Sequence, residues 1–265
     1  MNIFKHEFRL YIKPTLGWVL AFFIMLAVFF GIYPMFQDSV ATVEKILSSF
    51  PEAFIKAMGF DLMNFTSEIG FLGFLMTYII LIGGIQAMNL GLSLLSNELR
   101  DKTADFLYSK PVMRINIIHS KILVGITCIL ITNILFAIGS LFTLSLMVKA
   151  DFSLKLLSLF WGSLLLTQVF FLTFGMMVSV FMNKLKSVVP VSLGTVFMFF
   201  IINMLNESIE GRPLTPLTPF AYFHAGQLIQ DLAYDYKWLL LNICLLIIFA
   251  ITAYIRQMKK DIPSV

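Results

Sequence analysis

Of the 265 residues, 59% are hydrophobic and only 13% charged, and the mean hydropathy is +0.90; soluble globular domains carry roughly 25% charged residues. The composition excludes such a domain and predicts an all-α integral membrane protein, a single transmembrane domain over residues 1–265. The net charge of +4 and the pI near 9.0 follow from the topology derived below and call for no nucleic-acid partner.

Residues 2–13 have Phe4, Phe8 and Tyr11 at helical spacing, with Lys5, Arg9 and Lys13 free to face headgroups. This predicts an amphipathic elbow helix over about residues 1–14, bending at Pro14 into the first span; a basic flank that merely fixes topology is the alternative. Crossing the hydrocarbon takes about 20 apolar residues in a helix. Six stretches qualify, at about 15–36, 69–95, 122–148, 156–182, 187–205 and 238–254. The last two are short enough to be partly re-entrant. Their continuous Leu, Ile, Phe and Val argue helices, because barrel strands would alternate. The first run is too long for a signal-peptide core and is expected to stay in the mature protein.

Residues 37–68 carry an apolar stripe, Val40, Val43, Ile46, Leu47 and Phe50, and Ser49 with Glu52 has capping-box spacing around Pro51. Two short surface helices are expected there. The second span contains Gly70, Gly73, Gly83, Gly84 and Gly91, which permit close helix packing. Its Gln86 and Asn89, with Asn133, Gln168 and Asn203 in later spans, need polar partners in hydrocarbon. They are candidates for a substrate pathway or for plain helix packing. Cys128 and Cys244 lie in apolar runs without a C-x-x-C partner, so neither a disulfide framework nor a zinc site is expected. In 206–237, prolines 213, 216 and 219 forbid a continuous helix and leave backbone groups to be satisfied by protein or water. A short re-entrant or interfacial helix is expected within 221–236. His224, with no second His nearby, reads as a polar interfacial residue rather than a metal ligand.

Charge is dense in one place: Glu98, Arg100, Asp101, Lys102, Asp105, Lys110, Arg114 and Lys121 crowd the 96–121 loop between two runs without any Asp, Glu, Lys or Arg. With six spans, this loop, the turn at 183–187 and both termini share a side that holds 13 of the 19 Lys and Arg residues. The positive-inside rule makes that side cytoplasmic, and the plasma membrane of a bacterial cell is the expected setting. Within the loop, Asp101 suits a helix N-cap and Pro111 a stop. The short helix between them exposes Phe106, Leu107 and Tyr108, aromatic and aliphatic side chains framed by charge, as at a protein interface. The alternative is a solvated connector whose aromatic residues dip into the membrane surface.

Glu98, the run Lys102-Thr103-Ala104-Asp105-Phe106-Leu107, then Lys110-Pro111-Val112, Arg114 and Lys121 resemble the loop signature of type 2 ATP-binding-cassette exporter permeases. The LTPFAYF stretch at 217–223 is similar to one found before the last span in that family, and Asp105 stands where many relatives have Glu. The resemblance implies a coupling helix at about 103–109 that docks on a separate ATPase subunit. Phe106, Leu107 and Tyr108 would supply contact area and Glu98, Arg100 and Arg114 would fix orientation or join polar networks, with Thr103, Asp105 and Pro111 also among the partner-binding residues. It also implies a second permease subunit, as homo- or heterodimer, and ATP with Mg²⁺ bound on the ATPase only.

No G-x-x-x-x-G-K-[ST] occurs, so this chain is not expected to hydrolyse nucleotide or to carry a cofactor of its own. No H-E-x-x-H or G-x-S-x-G suggests an intramembrane enzyme. A membrane scaffold or sensor that binds a soluble partner without transport is the competing reading. The uncharged spans suit amphipathic or lipid-like cargo.

Overall fold

The computed structural model describes residues 2–38, 45–46, 49–58, 67–100, 114–147, 153–182 and 187–259. These residues form α1 (Asn2–Asp38), α2 (Glu52–Ala57), α3 (Glu68–Arg100), α4 (Arg114–Met147), α5 (Leu154–Phe181), α6 (Val188–Ser208), α7 (Ala225–Asp231) and α8 (Tyr236–Lys259), with one 3-10 turn at Thr215–Leu217. Six of the helices are long and apolar enough to cross a membrane, one for each expected span. The 21 residues of α6 extend about 32 Å at 1.5 Å per residue, which suffices for a crossing of about 30 Å. The re-entrant alternative for the last two spans is therefore not needed.

The bundle is built around α3 and α5. In each, 56% of the most apolar window is buried, against 11% in α8. Their backbones touch, and glycine is the reason they can. A Cβ on Gly175 would lie 2.8 Å from the Met88 carbonyl oxygen, and one on Gly91 would run into the Leu172 carbonyl. On one flank α1 packs along α4, where Phe22 meets Phe136 edge-on at 5.6 Å. On the other, α8 leans on α5 through Phe249, 5.4 Å from Phe170 and 5.1 Å from Phe174. Aliphatic rows at fourfold spacing face away from the protein: Leu16, Leu20, Ile24, Val28 and Ile32 on α1, and Ile243, Ile247, Ile251 and Ile255 on α8. Such rows suit lipid contact, because acyl chains are as apolar as the side chains.

Two expectations about local structure differ from what forms. Helix α1 runs unbroken from Asn2 to Asp38 with Pro14 and Pro34 inside it, so no separate elbow helix precedes the span. At α2 the capping box is not made. Pro51 occupies the N-cap, Ser49 Oγ donates back to the Ile46 carbonyl at 2.6 Å, and Glu52 pairs instead with Lys56 at 2.6 Å. A lysine one turn along competes directly for the carboxylate that the box requires.

The proline-rich segment folds back onto the bundle. Thr218, Phe220, Ala221, Tyr222 and Phe223 are buried, and side chains satisfy the backbone that the prolines keep from forming a helix. The Leu214 N–H donates to Asn206 Oδ1 at 2.8 Å, Thr218 Oγ1 donates to the Phe199 carbonyl at 2.9 Å, and the Tyr222 hydroxyl donates to the Pro216 carbonyl at 2.9 Å. Burial pushes the Tyr222 phenol up to about 12, so it remains a donor throughout the physiological range. The short helix expected within 221–236 forms at Ala225–Asp231, ended by Leu232 in the left-handed region at φ 48°.

Because only hydrogen fits at the α3–α5 crossing, Gly175→Val is expected to cost at least about 1–3 kcal/mol by overpacking. Gly194, with nothing within 4 Å of a Cβ, provides the control, and Gly194→Ala should be neutral or stabilising by about 0.5–1 kcal/mol. Thermal unfolding of both purified variants in one detergent checks the contrast.

Candidate functional site

Three polar constellations stand out in this apolar bundle. The first lies at the base of the charged loop. Residues 101–113, and with them Thr103, Asp105, Phe106, Leu107, Tyr108 and Pro111, lie outside the described residues, as do the side chains of Glu98, Arg100 and Arg114. What is described is the ground on which the loop stands. Lys121, on α4, points into the protein with its side chain 3% exposed, donates from Nζ to the Leu94 carbonyl of α3 at 2.5 Å, and lies 3.5 Å from Glu7 Oε1 of α1. One turn further on, Asn97 Nδ2 donates to the Tyr11 hydroxyl at 2.6 Å. A buried charge is tolerated when an opposite charge and hydrogen bonds surround it, and here α1, α3 and α4 each contribute one part of that environment.

Sequence reasoning passed over Glu7 because it is flanked by charged and polar residues. Its helical phase carries the signal. Phe4, Phe8 and Tyr11 turn towards the bundle, Glu7 shares their face, and Lys5, Arg9 and Lys13 stay exposed. The first turns of α1 are amphipathic as expected, but their apolar stripe is laid against the protein.

The second constellation gathers three of the five expected pathway residues. Asn133 Nδ2 donates to Gln168 Oε1 at 2.6 Å, Gln168 Nε2 donates to Gln86 Oε1 at 3.1 Å, and Gln86 Nε2 donates to Thr132 Oγ1 at 2.8 Å. The Thr132 hydroxyl in turn donates to the Cys128 carbonyl at 3.0 Å. This directional chain crosses α3, α4 and α5 in the middle of the bundle, and every amide in it is buried. Unpaired amides in hydrocarbon are costly, so the chain acts as a clamp between helices. Asn89 is half-buried and accepts from Ser93 Oγ at 3.5 Å, outside the chain.

The fifth residue, Asn203, belongs elsewhere. It lines a cavity of about 510 Å³ at the end of the bundle away from the termini, between α2, α3, α5, α6 and α7. Phe74, Phe160, Phe200, Phe220 and Phe223 wall it, and Glu207, Arg212 and His224 close its polar end. Glu207 Oε2 lies 3.0 Å from Arg212 Nη2 and 3.2 Å from His224 Nε2. His224 also caps α7, its Nδ1 accepting from the Gln227 N–H. Its Nε2 lies 3.2 Å from Glu207 Oε2 and 3.3 Å from Arg212 Nη2, so the ring edge sits between the carboxylate and the guanidinium. Gly211 and Arg212 both take positive φ, 77° and 48°, an uncommon conformation for arginine that turns the chain back towards Glu207. His224 is thus a cap and a carboxylate partner, and sequence spacing held no sign of its link to Glu207. On α2, exposed Glu52 and Lys56 hold each other charged: the Lys56 hydrogen bond, then its charge, lowers the carboxyl below its ordinary value, and Glu52 raises the ammonium in the same order. Among the described residues no group of three or more His, Cys, Asp or Glu side chains could hold a metal ion.

If the central amides are a clamp, Gln168→Leu orphans Gln86 Oε1 and one Asn133 donor and should destabilise the protein by about 1–3 kcal/mol. The double variant Gln86→Leu with Gln168→Leu should lose less than the sum of the two single changes, because the partners share one interaction. Melting of the three variants against the parent measures both values.

A family model described as ABC-2 family transporter protein matches residues 1–217, from the first turn of α1 to the 3-10 turn after α6. No curated protein matches the chain. With most of its 265 residues covered by that one match and six helices fit to cross a membrane, the chain belongs to the ABC-2 family of transporter proteins.

Proposed function

We propose that the chain is the membrane-spanning permease subunit of an ATP-driven exporter, paired with a second permease and driven by separate ATPase subunits through the 96–121 loop. Permeases of this family generally pair with ABC ATPase subunits, and the charged loop offers such a subunit a contact made of Phe106, Leu107 and Tyr108. Both termini are then cytoplasmic in the cell membrane, and ATP with Mg²⁺ is bound on the partner. The cargo is amphipathic or lipid-like, in keeping with spans that lack charged residues across their apolar centres.

The observation that carries this reading is the buried Glu7–Lys121 pair seated on the Leu94 carbonyl. A loop hinged on two loosely held helix ends would absorb a push by bending. Here the end of α3 and the start of α4 are bound to each other and to α1, so displacement of the loop is passed to three helices together. ATP binding does work on this system only in so far as the ATPase pair favours one arrangement of the permeases over the other. The ion pair keeps that difference from being dissipated at the joint.

Replacing Phe106 and Leu107 by Ala should release the ATPase in a pulldown and abolish permease-stimulated ATP hydrolysis. Glu7→Gln should separate the steps: the ATPase remains bound and active, while cargo moved per ATP falls in reconstituted vesicles. ATPase binding and transport that survive both changes would sink the coupling role. Binding without any ATP-dependent flux in the parent protein would favour the scaffold reading instead.

A further inference from the structure

The burial of Glu7 leaves the opposite face of α1 without an acid. Glu7 is the only acidic residue before Asp38, and it is turned into the bundle, 3.5 Å from Lys121 and on the same side as Phe4, Phe8 and Tyr11. Lys5, Arg9 and Lys13 lie on the other side of the helix. All three are exposed, and none is in an ion pair among the described residues. Spaced four residues apart, they form one row in which each cation faces the next. Like charges at that spacing destabilise a helix, so the row gains from an anion supplied from outside the chain.

The same face continues as an apolar track: Leu16, Leu20, Ile24, Val28, Ile32 and Met35 follow the cations along α1, all exposed. From Leu16 to Met35 the helix rises about 29 Å at 1.5 Å per residue, close to the roughly 30 Å depth of the hydrocarbon. Lys13 therefore stands about 4.5 Å beyond the end of the track, inside a headgroup layer about 5–7 Å deep. Arg9, one turn further out, has a side chain long enough to reach back into that layer. Beside Lys13, Gly17 has nothing within 4 Å of a Cβ, so a glycerol backbone can lie close to the helix. Cations without counter-ions above an aliphatic row of bilayer length complement a molecule with an anionic head and an acyl tail. We propose that this face of α1 binds an anionic phospholipid with no ammonium in its head, such as phosphatidylglycerol. Its phosphate sits between Arg9 and Lys13, and one acyl chain follows Leu16, Leu20 and Ile24. A zwitterionic head gains less, because its ammonium meets the same cations.

The site rests on α1 crossing the membrane and not on the ATPase, so it is tested on the full chain alone, and failure there leaves the permease reading untouched. The chain is placed in phosphatidylcholine nanodiscs with a trace of phosphatidylglycerol or phosphatidylcholine, both carrying the same diazirine-bearing acyl chain, and crosslinked peptides are quantified by mass spectrometry. The readout is labelling of α1 relative to the Ile243–Ile255 row of α8, which ends beside an arginine already engaged, Arg256 over the Phe181 ring at 5.1 Å. That ratio should be at least about fivefold higher for phosphatidylglycerol. Arg9→Gln should cut it about fivefold, the equivalent of about 1 kcal/mol for one cation at an anionic surface, and Arg9→Lys, which keeps the charge, should preserve it. Raising salt from about 0.1 M to about 1 M shortens the screening length from about 10 to about 3 Å and should shrink the ratio in the parent chain, a measurement that needs no variant. Equal ratios for the two lipids, or a phosphatidylglycerol ratio indifferent to Arg9→Gln or to salt, would overturn the proposal. So would absence of α1 labelling by either lipid, which would mean that protein, a second copy of the chain included, covers this face.

Discussion

The seam between α3 and α5 governs what the other helices can do. Its glycines bring two backbones into contact, and once they are in contact no side chain separates the polar groups that flank the crossing. Gln86 and Gln168 meet across this seam, with Asn133 and Thr132 of α4 extending the chain of amides on one side. Close approach and hydrogen bonding therefore depend on each other. Van der Waals contact alone distinguishes helix from helix poorly when the surroundings are equally apolar, and a directional amide chain fixes rotation as well as distance. The remaining long helices attach to this pair. Helix α6 packs on α3, α8 on α5, and α4 on both with α1 outside it.

From that rigid centre the two ends of the bundle acquire different characters. At the end bearing the charged loop, polarity is spent on tying helices together: Glu7, Tyr11, Leu94, Asn97 and Lys121 form one joint among α1, α3 and α4. At the other end, polarity borders a cavity, with an ion pair and a histidine beside a phenylalanine-rich wall. The segregation follows from helix length, since α3 and α4 carry their regular structure well past their apolar runs on the loop side and so reach α1 there.

Apolar runs of sufficient length are visible without any tertiary information, and all six spans were legible for that reason. The glycines of α3 were legible as packing residues, though not which neighbour they meet, because spacing within one helix says nothing about the register of another. Helix ends were harder: polar residues at 96–100 and 114–121 read as loop, yet α3 reaches Arg100 and α4 begins at Arg114. Glu7 illustrates a deeper limit. Its burial depends on a lysine in a distant part of the chain, and a carboxylate among Lys5, His6 and Arg9 reads as solvated until that partner is known. The cavity was the least legible feature, since Phe74, Phe160, Asn203, Arg212 and His224 share no spacing and come together only through the folding of the proline-rich segment. Of the candidate pathway residues, Gln86, Asn133 and Gln168 proved to be one cluster, and Asn203 belongs to another.

The Glu7–Lys121 pair also sets an order of events. Ribosomes deliver the first helix long before the third long helix exists, so Glu7 is made well before Lys121, which lies 3.5 Å from it in the folded protein. A carboxylate is costly to bury in hydrocarbon before the groups that surround it are in place, which favours holding the first turns of α1 at the aqueous boundary while α3 and α4 are threaded. Only then do they dock. In that order the ion pair would close last, sealing the amino-terminal helix to the bundle after the helices flanking the charged loop are in place.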